Sequence, residues 1–251
     1  MNRNTYGGNL LSLIAPDIFG RCDFATGQYV YYSYYLKAGE EVNIKSPSSF
    51  TATALFESSK SELRFFELDQ KIETGDVIQS ENQTVTLKTY TGPVRLLIAG
   101  IHAPVFSEKK IIYTKADDVY KVTKPWGYEL WLNKRHPGYA FKNIFVRQGT
   151  KTSLQYHRQK KETNVLYSGR ALLHYKNNDG IDNDDVRPED IDNVLIESIS
   201  AIDVSPPVLH RLEAVTDILL YETSTPHLDD VIRIEDDSNR INGRIASEHQ
   251  S

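Results

Sequence analysis

The chain has 251 residues, of which 39% are hydrophobic and 25% charged, and a formal net charge of −5. That length is enough for one large or two small domains with a buried core, but the negative net charge argues against non-specific nucleic-acid binding. Cys22 is the only cysteine, which excludes an intramolecular disulfide and a multi-cysteine zinc site and fits a reducing cytoplasm.

The N-terminal residues lack the basic region and apolar core of a signal peptide. No apolar run in the sequence approaches the roughly 20 residues that a membrane-spanning helix needs. We therefore expect a cytoplasmic protein with no membrane partner.

Strand patterns begin early in the chain. Residues 29–36, 50–56 and 85–90 are rich in aromatic and β-branched side chains and are bounded by turn-forming clusters. Many short strands with frequent turns favour a sandwich or barrel over a parallel α/β sheet. The predicted fold class is therefore all-β.

The second half continues this pattern. Strands are predicted at 140–146 and 217–222, and residues 164–175 read as strand, turn and strand. The turn at Gly39 resembles the turn at Gly149, which indicates a two-fold internal repeat.

This repeat predicts two domains, 1–115 and 116–251. The first has no histidine before His102, so we expect it to lack metal ligands. The tail from about Asn242 is expected to be mobile.

Candidate metal ligands are concentrated between Gly149 and Gly169. Gln155 and His157 are two residues apart, so on a strand both side chains leave the same face. Glu162 lies beyond a short turn, where a returning strand can bring its carboxylate alongside. A separate strand supplies the fourth candidate, which is His210. Mixed nitrogen and oxygen donors suit a divalent transition metal.

The spacing from Gly149 to Gly169 resembles the first cupin motif, with Gln155 in place of the more usual histidine. The segment 206–210 resembles the second motif. A more specific resemblance, to type II mannose-6-phosphate isomerases, covers about residues 118–240. It rests on ordered blocks at Lys124–Tyr128, Phe141–Lys142, Gly149–His157, His210–Glu213 and 229–237.

The resemblance implies a cupin double-stranded β-helix (jelly roll), as a bicupin whose N-terminal half is degenerate. It also implies a metal set of Gln155, His157, Glu162 and His210. The metal would be one divalent ion, with Zn as first choice and Mn, Co, Ni or Fe as alternatives. The implied reaction is aldose–ketose isomerisation of a phosphorylated hexose, mannose 6-phosphate to fructose 6-phosphate, through a cis-enediolate.

The same resemblance suggests residues that act on the substrate. The catalytic candidates are Lys151, Arg211 and Glu213, and the substrate-binding candidates are Lys124, Tyr128, Lys142 and Ser153. Lys151 and Ser153 share strand parity with the first two ligands, so both are expected to face the cavity. Arg211 and Glu213 have the opposite parity to His210, and only a bulge or turn would aim them inwards.

Two other classes of function stay open. One is a different cupin enzyme, such as an iron dioxygenase or a metal-free sugar-nucleotide epimerase. The other is a non-catalytic carbohydrate-binding or regulatory bicupin. The expected partner is a small sugar phosphate, without nucleic acid or membrane, and a homodimer is the assembly that we consider.

Overall fold

A computed structural model describes residues 3–6, 11–14, 22–25, 28–45, 47–103, 106–134, 136–176 and 190–249. Short 3-10 helices span Ala116–Asp118 and Ala246–His249. Within these ranges, no helix is both long and apolar enough to cross a membrane.

Strands make up most of the described chain, which confirms the all-β class. In chain order they are β1 Arg3–Tyr6, β2 Leu11–Ile14, β3 Cys22–Ala25, β4 Val30–Leu36, β5 Glu41–Ile44, β6 Ser49–Phe56, β7 Glu62–Phe65, β8 Gln70–Ile72, β9 Val77–Glu81, β10 Val85–Thr91, β11 Val94–Ile101, β12 Lys110–Thr114, β13 Tyr120–Lys124, β14 Gly127–Trp131, β15 Ala140–Val146, β16 Leu154–Tyr156, β17 Glu162–Ser168, β18 Arg170–Lys176, β19 Asp192–Glu197, β20 Ser200–Val204, β21 Leu209–Ala214, β22 Ile218–Ser224 and β23 Ile232–Glu235.

The chain forms two compact units. One consists of Met1–Pro16, Lys121–Trp131 and Lys142–Ser251, and the other of Asp17–Tyr120 and Leu132–Phe141. The predicted boundary after residue 115 lies near the main division, but two segments cross it. The first strands pair in the C-terminal unit, and residues 132–141 pack in the N-terminal one.

The C-terminal unit contains two antiparallel sheets. An eight-stranded sheet has the order β1-β2-β20-β17-β22-β15-β14-β13, and a five-stranded sheet has the order β19-β18-β21-β16-β23. The buried apolar side chains form one main cluster, in which Trp126, Ile144, Leu166, Leu212 and Leu220 are members. This packing holds the strands that carry the candidate ligands.

One turn in this unit requires glycine. The strand–turn–strand prediction for residues 164–175 matches β17 and β18, which are joined at Gly169 with a φ of +89°. A Cβ there would lie 2.2 Å from the carbonyl oxygen of Asp217. Any other residue would therefore combine backbone strain with a clash.

The N-terminal unit also contains two antiparallel sheets. A six-stranded sheet has the order β12-β9-β6-β11-β4-β3, and a four-stranded sheet has the order β5-β10-β7-β8. Its apolar cluster includes Phe50, Leu63, Phe65, Leu87 and Leu96. The predicted strands 29–36, 50–56 and 85–90 correspond to β4, β6 and β10.

Candidate metal centre

Three side chains converge in the C-terminal unit. The ligating atoms of His157, Glu162 and His210 all lie within 4.8 Å of one another, and all three residues are buried. His157 directly follows β16, Glu162 begins β17 and His210 lies on β21. In the part of the chain that the structure describes, this is the one group of three His, Cys, Asp or Glu residues with metal-site spacing.

Backbone carbonyls orient both imidazole rings. The Nδ1 atom of His157 hydrogen-bonds to the carbonyl oxygen of Asp230, and Nδ1 of His210 lies 3.0 Å from the carbonyl oxygen of Val208. A carbonyl can only accept, so each Nδ1 carries the proton and each neutral ring keeps its lone pair on Nε2. Both Nε2 atoms are buried and lack a hydrogen-bond partner among the described residues.

The charges in this cluster suit a cation. Glu162 Oε1 lies 3.1 Å from Nε2 of His210, and its Oε2 lies 3.5 Å from Nε2 of His157. Burial and the nearby Lys160 ammonium lower the pKa of His157, which keeps its ring neutral. Burial opposes ionisation of Glu162, but the Lys160 ammonium outweighs it and holds that pKa well below its ordinary value. Two neutral imidazoles and one carboxylate are the protonation states in which these groups bind a divalent metal.

The predicted fourth ligand lies beside this cluster. Gln155 is opposite His210 in the antiparallel register of β16 and β21, and both residues line the same cavity. The two orphaned Nε2 atoms and this donor set fit one divalent transition-metal ion.

A buried charge network adjoins the ligands. The Lys160 ammonium contacts the Glu162 carboxylate and lies 2.8 Å from Glu222 Oε1, and the Lys142 ammonium lies 3.2 Å from that same oxygen. Burial alone would raise the pKa of Glu222, but Lys142 and Lys160 lower it below its ordinary value. Glu222 is therefore an ionised carboxylate in the cavity.

The network continues along β14. Trp131 donates its indole N–H to Glu129 Oε2 at 3.0 Å, and the Lys142 ammonium lies 4.6 Å from the centre of a Trp131 ring. The Lys124 ammonium is 3.6 Å from Glu129 Oε1. Positive and negative groups thus alternate along the cavity wall, and each is compensated by a neighbour.

Comparison with known proteins gives the fold its name. No family model matches the chain, and no curated protein matches it by sequence. A putative glyoxylate-induced protein from Pseudomonas aeruginosa superposes with a TM-score of 0.66 at 11% identity, covering 94% of this chain and 95% of that one. An oxalate decarboxylase from Lactobacillus farciminis gives 0.64 at 9% identity, covering 92% and 90%. An IolB-like protein from Salmonella typhimurium gives 0.61 at 12% identity, covering 97% and 98%.

These are cupin-fold proteins. The chain has the cupin fold. At such low identities the likeness shows the fold alone, so the chemistry of this chain depends on its own residues.

The C-terminal tail of the chain corrects one expectation. Residues from about Asn242 were predicted to be mobile, yet Gly243, Arg244, Ile245 and His249 line the cavity. The ring of His249 meets Trp131 edge-on, with ring centres 5.3 Å apart. This contact, together with ion pairs of the same segment, makes the tail part of the cavity wall.

Three of the four predicted substrate-binding residues line the cavity. They are Lys124, Lys142 and Ser153. Tyr128 does not, because it alternates along β14 with Glu129, which faces the cavity. Its ring instead stacks on Phe145 with centres 5.2 Å apart, and the Lys121 ammonium lies 4.3 Å from the ring centre.

The predicted catalytic Lys151 lies outside the cavity, which corrects the parity argument. Its ammonium is 3.5 Å from Glu235 Oε1 and 3.5 Å from Asp237 Oδ1, and its side chain is one-third exposed. Strand β16 begins only at Leu154, and its register with β23 shifts between Leu154 and Gln155. Alternation therefore cannot be extended from Gln155 back to Lys151.

Arg211 and Glu213 also lie outside the cavity, and the expectation that they act beside the ligands is corrected. Strand β21 stays regular from His210 onwards, so both side chains face away from that ligand. Arg211 binds Glu235 Oε1 at 2.9 Å, and Glu213 Oε2 lies 2.9 Å from Nε2 of His174.

Sequence reasoning missed half of the charged residues in the buried network. Lys160, Glu222 and Glu129 were not singled out, although each is buried. A signal did exist for Glu222, because a carboxylate within the apolar run of β22 needs a buried partner. Arg233 and Arg240 also line the cavity, and both contact Ser153.

Proposed function

We propose that this cupin is a metal-dependent aldose–ketose isomerase of a phosphorylated hexose, with mannose 6-phosphate as the first substrate to test. The observation that carries the proposal is the placement of Glu222 in the same cavity as the metal ligands. The sequence resemblance over residues 118–240 supports the choice of reaction and sugar.

The reaction requires a mobile proton and no redox partner. In the aldose-to-ketose direction the C2–H bond breaks and a proton is returned to C1, while the proton on O2 moves to O1. A divalent ion at His157, Glu162 and His210 would supply Lewis acidity toward the substrate oxygens. Glu222 is an ionised base that can take the proton from C2 and return it to C1. Lys142 and Lys160 hold Glu222 in place and keep it ionised between transfers.

The charge balance of the cavity favours an anionic substrate. Six acidic groups are in contact with six basic groups at the cavity. The acidic groups are Glu129, Glu162, Glu222, Asp229, Asp236 and Glu248, and the basic groups are Lys124, Lys142, Lys160, Arg233, Arg240 and Arg244. A divalent cation added to this balanced set leaves an excess of two positive charges, which a phosphate monoester would neutralise.

The test is a coupled assay of the protein reconstituted separately with Zn, Mn, Co, Ni and Fe, following fructose 6-phosphate formation from mannose 6-phosphate. Glu222→Gln should lower kcat by about 10²–10⁴-fold and leave metal content unchanged. Glu235→Gln is the matched control, because it removes one carboxylate outside the cavity.

The outcomes separate the alternatives. Equal loss of activity in both variants would contradict the role of Glu222. Stoichiometric metal binding without turnover would discard mannose 6-phosphate and leave the other cupin enzymes and the non-catalytic carbohydrate-binding class. Oxygen uptake by the iron form would favour a dioxygenase.

A further inference from the structure

The tail places one carboxylate between two cations of the cavity wall. Glu248 Oε2 lies 2.7 Å from the Lys124 ammonium, and Glu248 Oε1 lies 3.6 Å from Arg240 Nη1. The side chains of Lys124 and Arg240 are only 8% and 9% exposed. A carboxylate bound between two buried cations marks a site that selects a negative group.

The partners of these cations differ in strength. Arg240 also binds Asp236 Oδ2 at 2.7 Å, whereas the other carboxylate near Lys124 is Glu129, at 3.6 Å. The contact with Glu248 is therefore the shortest ion pair of Lys124. Without it, the Lys124 ammonium would keep unused donor capacity beside the cavity that it lines.

Glu248 is held by a short segment. It lies in the single-turn 3-10 helix Ala246–His249, which has no buried residue. Apart from the edge-on contact of His249 with Trp131, the segment therefore has little apolar burial to hold it against the wall. Moving Glu248 away would cost mainly its ion pairs, which an incoming anion can replace.

We infer that Lys124 and Arg240 form the binding site for the anionic group of the substrate, and that Glu248 occupies this site until the substrate displaces it. We call Lys124 and Arg240 the anion site. Lys124 and Arg240 line the same cavity as Glu162 and His210, so one elongated molecule can reach both the anion site and the metal ligands. That the bound anion is a group of the substrate rests on the proposed function, whereas the anion site itself is inferred from the ion pairs alone.

The experiment titrates full-length, metal-loaded protein with inorganic phosphate and measures Kd by calorimetry. Glu248→Gln should tighten phosphate binding about tenfold, because it removes the competing charge. Lys124→Gln should weaken binding by at least about tenfold, and the double variant should lose the gain of Glu248→Gln. Glu235→Gln makes the same charge change outside the cavity and should leave Kd unchanged.

An unchanged or higher Kd for phosphate in Glu248→Gln would overturn the inference. A lower Tm of that variant without tighter phosphate binding would also overturn it. An equal gain in Glu235→Gln would also overturn it, because net charge alone would then explain the effect. Tighter phosphate binding without turnover of any sugar phosphate would keep the anion site and reject the isomerase. Turnover of a sugar phosphate with no change in the phosphate Kd of Glu248→Gln would keep the isomerase and reject the anion site.

Discussion

Each unit of the molecule contains a buried His–Glu cluster, and the two clusters differ in which ring nitrogen is protonated. In the C-terminal unit, backbone carbonyls accept from Nδ1 of His157 and His210, which leaves a lone pair on each Nε2, and both Nε2 atoms lie close to Glu162. In the N-terminal unit, the amide N–H of Gly138 donates to Nδ1 of His136 at 3.0 Å. The proton of the neutral His136 ring must therefore lie on Nε2.

With its proton on Nε2, His136 has a hydrogen-bond partner for each of its ring nitrogens. Its Nε2 lies 3.1 Å from Glu81 Oε1 and 2.9 Å from Ser49 Oγ, and Ser49 Oγ lies 2.8 Å from the same carboxylate oxygen. With its proton on Nε2, His136 cannot act as the base for Ser49, so these residues do not form a nucleophilic triad. The backbone group that faces Nδ1 therefore decides which state a buried His–Glu pair adopts. A carbonyl leaves the Nε2 lone pair for a ligand, whereas an amide N–H puts the proton on Nε2, where it is used in hydrogen bonds within the cluster.

Metal content is the largest expected difference between the two clusters. His157→Ala or His210→Ala removes an Nε2 donor and should lower metal affinity by more than about 100-fold, beyond the effect of losing an indirect partner. His136→Ala should retain full metal content. Elemental analysis after dialysis against a weak chelator measures this. Loss of metal in His136→Ala but not in His210→Ala would mean that the ion binds in the N-terminal unit, which would contradict the proposed site.

The second prediction concerns Lys160 of the C-terminal cluster and its contribution to the free energy of unfolding. Its ammonium contacts both Glu162 and Glu222, so Lys160→Met would leave two buried carboxylates without their shared cation. We expect a loss of about 3–5 kcal/mol in the free energy of unfolding of the metal-free protein, and a smaller loss once metal compensates Glu162.

Lys151→Met serves as the control for this measurement. Lys151 is one-third exposed and pairs with exposed partners, so its loss should cost at most about 1 kcal/mol. Urea unfolding with and without metal measures both variants. An equal cost for the two lysines would refute the idea that Lys160 balances the buried carboxylates.

His136 gives the comparison a pH dependence. Burial lowers its pKa below the ordinary value of 6.5, although Glu81 opposes the shift. Below that ordinary value, and down to the folded-state pKa, the unfolded chain binds more protons, so the free energy of unfolding falls as pH decreases. His136→Gln should remove up to about 1.4 kcal/mol per pH unit of this slope.

Urea unfolding at about pH 7 and about pH 5.5 spans the range in which an ordinary histidine titrates. Identical slopes for the wild type and His136→Gln would mean that His136 protonates equally in the folded and unfolded chain. Its environment would then not oppose the charge.

The sequence predicts the strands well because aromatic and β-branched residues are concentrated in β4, β6 and β15. It also brings out His157, Glu162 and His210, because their spacing matches the cupin motifs, although Glu162 lies on β17 of the other sheet. It cannot show that Asp230, far along the chain, provides the carbonyl that fixes the tautomer of His157. That contact depends on the tertiary fold.

The errors have local causes. The register shift after Leu154 breaks the parity that was used for Lys151. Lys160 lies in a short connection where no periodicity indicates direction, and its partner Glu222 comes from a strand far away in sequence. The tail looked mobile because its anchors, Lys124 and Trp131, also lie far away in sequence.

The smallest expected effect tests the residues that resemblance placed in the catalytic site. Glu213 is 45% exposed in its side chain and contacts His174 rather than the cavity. Glu213→Gln should therefore change the free energy of unfolding by no more than about 0.5 kcal/mol, with kcat/KM within about twofold of the wild type. Steady-state kinetics of Glu213→Gln and Glu222→Gln, measured side by side, tests whether only the second variant loses activity. A large fall in kcat for Glu213→Gln, with KM unchanged, would mean that this face of β21 reaches the reacting atoms after all. Strand parity would then be a poor guide to the working site.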